Sequence, residues 1–162
     1  MNKETAERIK RLRQEVKDLG RDPKDYRYDH GSQNAWRREK SWVCILCSNN
    51  KEALVNWQDF VEGEFQRKRW GPLSSDPTRD YPHTTVLGLD DKSEQRTLHQ
   101  AVMGKKEEVI DHINGDHYDC RRWNLRHGSV EQNNQNRHPR ATSRKVSCKT
   151  IPLETNYVPL LI

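Results

Sequence analysis

The stretch EVIDHINGDHYDCRRWNLRHGSVEQNNQNR, residues 108–137, decides the fold predicted for this chain. Its first six residues have the pattern of a strand. Asn114-Gly115 is a strong signal for a tight turn, because both residues tolerate positive φ. The segment HYDCRRWNLRH can hold a second strand, and Ser129 then starts a helix, with Gln132 three residues later completing a capping box. The pattern predicts strand, turn, strand and helix in succession.

Four side chains in this stretch suit metal-dependent cleavage of a phosphodiester bond. Asp111 and Asn133 offer hard oxygen ligands for one Mg²⁺-like ion, with positions left for water and a phosphate oxygen. His112 would be the general base, since the ordinary histidine pKa of about 6.5 leaves a neutral base at neutral pH. Asn124 would brace the loop around the imidazole. Because neighbouring strand residues point to opposite faces, a bulge or loop must aim His112 at the attacking water.

The same stretch resembles the HNH endonuclease motif, in the variety found in phage and intron-encoded homing endonucleases. The matching points are Asp111-His112, Asn114-Gly115, Asn124-Leu125-Arg126 and Gln132-Asn133. Upstream, TLHQAVMG at 97–104 resembles the family's Leu-His-Arg segment, with Gln100 where arginine is usual. Cys120 stands where the family often has asparagine, so the loop before the second strand can be held differently here.

The resemblance covers residues 96–137, about a quarter of the chain. It implies an α+β protein with a ββα-metal (HNH) nuclease core. It also implies that Asp111 and Asn133 are ligands of one divalent ion, Mg²⁺ or Mn²⁺, that His112 is the general base, and that Asn124 is the bracing residue.

Composition predicts a small core and a polyanionic partner. The 162 residues are 31% hydrophobic and 33% charged, with a mean hydropathy of −1.18. Net charge is +5, and residues 121–149 contain eight Arg or Lys against one acid. Nucleic acid, here double-stranded DNA, is the natural partner for such a distribution. A merely solvated basic face is the alternative.

The chain has no run long and apolar enough to span a membrane, and its first ten residues lack the apolar stretch of a signal peptide. The four cysteines predict reduced thiols rather than a disulfide framework. Together these features favour a cytoplasmic protein, and the resemblance to phage-type HNH endonucleases implies a bacterial host or a phage as its source.

The patterns divide the chain into four parts. These are a basic N-terminal helix and linker (1–40), a small α/β region for DNA recognition or support (41–95), the nuclease core (96–138) and a basic C-terminal tail (139–162). Within them, the apolar periodicity and the turn residues predict individual elements. They are a helix over 3–19, a loop over 21–34, a buried strand over 41–48, a helix over 52–66, a loop over 67–82, a strand over 83–89 and a short helix or strand-to-helix element over 96–104.

Basic side chains near the motif are candidates for contacts with DNA phosphates. They are Lys68, Arg121, Arg122, Arg126, Arg137 and Arg140. His99 and His127 are candidates for supporting roles beside the site, and for His127 an exposed surface position is at least as compatible with the sequence.

Cys44 and Cys47 form a Cys-x-x-Cys pair. A structural Zn²⁺ would need two further ligands, which Cys120, Cys148 or a histidine could supply. The pair lies in an apolar run, however, which favours buried and inert thiols in a core strand.

The leading hypothesis is a metal-dependent DNA endonuclease of homing or restriction type, which nicks or cuts at preferred sites. Since one such site cuts one strand, a double-strand break needs a homodimer or sequential nicks. Two alternatives remain open from the sequence: a nucleic-acid-binding module that does not cleave, and a nuclease directed to RNA or to branched DNA.

Overall fold

The structure is a computed structural model, and it describes residues 2–29, 31–74, 80–87, 92–104 and 109–135. These residues form an α+β protein with three small antiparallel sheets. The predicted C-terminal tail, 139–162, lies outside the described residues.

The described helices and strands follow one another in an order that alternates small sheets with short helices. They are α1 (Lys3–Asp18), β1 (Trp36–Arg38), β2 (Trp42–Leu46), β3 (Glu52–Asn56), α2 (Trp57–Glu62), β4 (Gly71–Pro72), β5 (Pro82–Leu87), β6 (Ser93–Thr97), α3 (Leu98–Met103), β7 (Val109–His112), β8 (Leu125–Gly128) and α4 (Val130–Gln135). None of the helices in this part of the chain is long and apolar enough to cross a membrane.

The N-terminal helix α1 confirms the prediction from apolar spacing. Asn2 caps it, because its side chain accepts a hydrogen bond from the Thr5 amide at 2.8 Å. Leu12 and Val16 are buried on one face, and Val16 packs in a small cluster that includes Leu46 of β2. The helix is therefore attached to the first sheet by one apolar stripe.

The first sheet has the order β1-β2-β3. The strand predicted over 41–48 is confirmed as β2. The helix predicted over 52–66 is wrong in its first part, because residues 52–56 form β3, which pairs with β2. Ala53 and Val55 are completely buried there, and such a short apolar run fits a strand as well as a helix by its spacing alone. Helix begins only at Trp57.

The second sheet has the order β4-β5-β6 and leads into α3. It confirms the strand predicted over 83–89, as far as Leu87, and the strand-to-helix element over 96–104. Thr97 and Gln100 form a capping box at the start of α3, with the Thr97 amide 3.1 Å from the Gln100 side-chain oxygen. This capping role gives a local reason for glutamine where the HNH pattern usually has arginine.

The predicted strand, turn, strand and helix appear as the hairpin β7-β8 followed by α4. Gly115 has φ of 73° in the turn. Ser129 and Gln132 cap α4 reciprocally, at 3.0 and 3.2 Å. The helix packs on both strands of the hairpin.

The loop of the hairpin is docked onto the first sheet. The Leu54 amide donates to the Tyr118 carbonyl at 2.8 Å, and the Cys120 amide donates to the Leu54 carbonyl at 2.9 Å. Tyr118, Cys120 and Leu125 belong to the same buried cluster as the first sheet. The core of the protein thus fixes the loop that separates the two strands of the motif.

Candidate functional site

Asn124 holds the turn that follows His112. Its side chain is fully buried, and its oxygen accepts from the Asn114 amide at 3.0 Å. Its side-chain nitrogen donates to the Asn114 side chain at 2.9 Å and to the Asp119 carbonyl at 2.8 Å. Since every polar atom of the buried amide is engaged, Asn124 fixes the loop in the bracing geometry expected from the sequence.

Asp111 lies on β7, directly opposite Arg126 on β8. Its carboxylate is buried, and Oδ2 accepts two hydrogen bonds from the Arg126 guanidinium, at 3.0 and 2.8 Å. About half of the Arg126 side chain is exposed. The ion pair therefore reaches from a buried carboxylate to the protein surface.

Asn133 lies in the first turns of α4, where its amide donates to the Ser129 carbonyl at 3.0 Å. The helix packs on β7 and β8, and the Asn133 side chain is half-buried. The hairpin and helix thus carry all four residues named from the sequence within one packed unit.

The His112 ring lies in a group of aromatic and imidazole rings. Its centroid is 5.1 Å from that of His99, 5.6 Å from that of His117 and 6.1 Å from that of Tyr81. Nε2 is 3.8 Å from the Cys120 thiol. Burial, together with the charges of His99 and His117, lowers the pKa of His112 to about 3. The imidazole is therefore neutral at physiological pH, and it is a weaker base than an ordinary histidine.

His99, named from the sequence as a supporting residue, packs edge-on against His112 from the start of α3. Its Nε2 lies 3.0 Å from the Thr97 hydroxyl. Its Nδ1 is buried and has no hydrogen-bond partner among the described residues. Burial and the charge of His117 lower the pKa of His99 to about 4, so this ring is also neutral at physiological pH.

Sequence reasoning did not find Tyr81 and His117, which complete the ring group. The two rings stack, with centroids 4.0 Å apart. Tyr81 follows a turn-rich stretch and lies far from the motif in sequence, so no local pattern marks it. From the sequence, His117 is expected to be a solvent-exposed turn residue; in the structure it is half-buried, because the docked loop brings it against Tyr81.

The structure does not favour Arg121 as a phosphate-binding residue. Its guanidinium is buried and donates to both carboxylate oxygens of Asp119, at 2.8 and 2.7 Å. The same group lies over the Trp42 and Trp123 rings. Arg121 therefore acts within the fold, and the reason is a buried ion pair with a residue only two positions away.

The other predicted DNA-binding residues differ in the exposure of their side chains and in their partners. The Arg122 side chain is 58% exposed, although its guanidinium bonds both oxygens of Asp59, at 2.6 to 3.0 Å. Lys68 directs its ammonium group to the Gly63 carbonyl, and burial lowers its pKa. Arg137 and Arg140 lie outside the described residues.

His127, the second supporting candidate, is half-buried on β8 opposite Ile110 of β7. The strand position explains this burial, because one face of the hairpin packs on the protein. An exposed surface position, the alternative from the sequence, is therefore not what the fold provides.

Cys44 and Cys47 are both buried free thiols. Burial raises the pKa of Cys47 to about 12, as expected for a thiol in an apolar environment. In the described part of the chain, no three His, Cys, Asp or Glu side chains converge on a possible metal position. Cys148, one of the further ligands considered from the sequence, lies outside that part.

The residues of the hairpin fit a hard divalent ion better than a soft one. One buried carboxylate and one amide are oxygen donors, and Mg²⁺ commonly uses one or two such protein ligands and several waters. Both bonds from Arg126 fall on Oδ2 of Asp111. A metal ion at Asp111 would therefore share this carboxylate with the Arg126 guanidinium.

Comparison of the chain with protein-family models, with curated proteins and with solved structures gave no match.

Proposed function

We propose that this protein is a metal-dependent DNA endonuclease built on a ββα-metal core of HNH type. The observation that carries the proposal is the position of Asn124. This fully buried side chain locks the turn immediately after Asp111-His112, and the hairpin so braced is followed by the helix that carries Asn133. A braced carboxylate-imidazole pair is what hydrolysis of a phosphodiester needs.

Asp111 and Asn133 are the residues that would hold one Mg²⁺ or Mn²⁺. The ion would stabilise negative charge on the phosphate and on the leaving oxygen. Arg126, which pairs with Asp111 through a half-exposed guanidinium, would bind a phosphate oxygen of the DNA.

His112 would take the proton of the attacking water. Its Nε2 lies 3.8 Å from the Cys120 thiol. The surrounding rings of His99, His117 and Tyr81 keep the imidazole neutral and fix its orientation. Asn124 does not touch the reacting atoms and acts by positioning the loop.

Double-stranded DNA is the proposed substrate. The net charge of +5 and the excess of Arg and Lys between residues 121 and 149 support a polyanionic partner. One site of this kind cuts one strand, so a double-strand break would require two protomers or two successive nicks.

The test is nicking of supercoiled plasmid by the purified protein with Mg²⁺ or Mn²⁺. We expect nicked or linear product that EDTA abolishes and that Asp111→Asn reduces by at least a hundredfold. Asp18→Asn, at an exposed position on α1, is the matched control and should cleave like the wild type. DNA binding without cleavage under either metal would instead support the non-cleaving module.

Plasmid is one of several possible substrates for the same chemistry. A parallel comparison of duplex, single-stranded, branched and RNA substrates separates the DNA endonuclease from the RNA- or structure-directed alternatives. The proposal expects the duplex to be cut fastest.

A further inference from the structure

Two large apolar side chains are exposed beside the braced loop. Trp123 is 60% exposed and Ile113 is 43% exposed. They flank the site in sequence, because Ile113 follows His112 and Trp123 precedes Asn124. The Ile113 amide donates to the Asn124 carbonyl at 2.8 Å, which holds the two segments side by side. Neither side chain is part of the hydrophobic core, so packing does not explain an apolar residue at either position.

The exposed indole of Trp123 contacts the guanidinium of Arg121. The Arg121 guanidinium lies 4.8 Å from the centroid of the Trp123 ring and 5.1 Å from that of Trp42. Arg121 is itself held by two bonds to Asp119, at 2.8 and 2.7 Å. The contact of Trp123 with Arg121 therefore involves a buried cation that is held by an ion pair with Asp119.

The stack is joined to the candidate site. Asp119, which holds Arg121, also offers its carbonyl to the Asn124 side chain at 2.8 Å and its carboxylate to the Asn114 side chain at 3.2 Å. Asp119 thus connects Arg121, which contacts the Trp123 ring, to the hydrogen bonds that brace the turn after His112.

A fixed aromatic ring that remains largely exposed suits stacking on a flat aromatic ligand. The ordering of its side chain is already achieved by the Arg121 contact, so little further rotamer entropy is lost on binding. Arg122, the residue before Trp123 in the chain, keeps 58% of its side chain exposed while it pairs with Asp59, so its guanidinium can also meet a phosphate. Flat rings joined by negatively charged groups are the chemistry of a nucleic acid.

We infer that Trp123 stacks on a nucleobase of the DNA beside the phosphodiester bond to be cut, either at a widened minor groove or on a base displaced from the helix. Ile113 would fill the adjacent space as an apolar wedge, as side chains that unstack base steps do. The inference rests on the proposed DNA endonuclease function and assigns to it a residue that sets the position of the substrate.

Binding is measured in EDTA, where cleavage is absent, with a fluorescein-labelled duplex of mixed sequence. Anisotropy of the label gives the affinity, and tryptophan emission reports stacking, because a base stacked on indole quenches it. We expect Trp123→Ala to weaken binding by about five- to 150-fold, the range measured for the loss of one base–aromatic stack. Trp123→Phe keeps a flat ring and should bind within about threefold of the wild type.

Tryptophan fluorescence shows directly whether Trp123 is the side chain that stacks on a base. DNA should quench the tryptophan emission of the wild type, and this quenching should disappear in Trp123→Phe, in which the other four tryptophans remain. Leu87→Ala, which removes another exposed apolar side chain on β5, is the matched control and should behave like the wild type. Thermal unfolding of each variant shows that it is folded.

Unchanged affinity of Trp123→Ala, or quenching that persists in Trp123→Phe, overturns the inference. Plasmid nicking by the wild type is scored separately. Nicking together with either of these results leaves the endonuclease standing and removes only the role of Trp123, whereas a wild type that neither binds nor nicks DNA removes both.

Discussion

Arg126 places both of its hydrogen bonds on a single oxygen of Asp111, at 3.0 and 2.8 Å, from the position directly opposite on the neighbouring strand. A buried carboxylate needs a compensating charge or a bound cation. Arg126 supplies that charge. If Asp111 is a metal ligand, Arg126 and the ion are alternatives at the same carboxylate, and this competition can be measured.

Arg126→Gln should therefore bind Mn²⁺ more tightly than the wild type in the absence of DNA. A partly exposed ion pair contributes up to about 1 kcal/mol, which corresponds to a factor of about five in affinity. Isothermal titration calorimetry with MnCl₂ gives the dissociation constant. Arg122→Gln, which removes a guanidinium bonded to Asp59 instead, is the control and should leave the constant unchanged. Equal or weaker Mn²⁺ binding by Arg126→Gln would argue against Asp111 as a ligand.

Asn124→Ala should destabilise the fold. The substitution removes three side-chain hydrogen bonds from a fully buried position and leaves the Asn114 amide and the Asp119 carbonyl without partners. We expect the free energy of unfolding to fall by about 3 kcal/mol. Urea denaturation followed by circular dichroism measures it. Gln58→Ala, at an exposed position on α2, is the control, and a similar loss in both variants would show that Asn124 has no special bracing role.

Arg121→Gln should lower the free energy of unfolding, because Arg121 is part of a buried ion pair and not of the DNA-binding surface. The change leaves the carboxylate of Asp119 buried without its guanidinium partner, which typically costs about 3 kcal/mol. Arg11→Gln, at an exposed position whose ion pair with Glu15 spans 3.9 Å, should change stability by less than about 1 kcal/mol. Denaturant melts of both variants decide the matter, and an Arg121→Gln protein as stable as Arg11→Gln would show that the buried pair does not form.

Acid should destabilise the protein in a window set by its buried imidazoles. The pKa of His99 is lowered to about 4 by burial, against an ordinary value of about 6.5 in the unfolded chain. Between these values the unfolded state binds the proton and the folded state does not. The stabilisation that depends on neutral His99 is therefore complete above about pH 7. As the pH decreases, the free energy of unfolding falls by up to about 1.4 kcal/mol per pH unit because of this one group.

The contribution of His99 to this slope is isolated by His99→Phe, which keeps a ring against Tyr81 but cannot take up a proton. Denaturant melts at several pH values between 7 and 4 should show a shallower slope for this variant than for the wild type or for Leu87→Ala. The lowered pKa of His112 acts in the same direction, so part of the slope should remain. An unchanged slope in His99→Phe would mean that His99 is not a buried neutral imidazole.

Local signals were sufficient to predict the motif. The Asn114-Gly115 turn and the Ser129-Gln132 capping box act over three or four residues, and the structure forms both as expected. The helix predicted over 52–66 is wrong in its first part, because local signals did not determine the structure there. Its short apolar run is compatible with either helix or strand, and pairing with β2 decided the outcome.

The parts of the site that the sequence did not reveal depend on contacts between distant segments. Tyr81 reaches His117 only because β5 and the docked loop meet in the folded protein. The role of Arg121 was misjudged because its charge suggested a surface, while burial beside Asp119 is a property of the packed loop. Residue type alone therefore does not predict which basic side chains remain exposed.

The most direct test of the central claim is the single-turnover rate of plasmid nicking by His112→Ala in saturating Mg²⁺. General-base catalysis typically contributes about 10²- to 10⁴-fold, and the account predicts a loss in that range in a variant that still binds DNA and unfolds cooperatively. A His112→Ala protein that nicks at the wild-type rate, or a wild type that binds DNA and cuts it with neither Mg²⁺ nor Mn²⁺, would contradict the assignment of this site as an endonuclease.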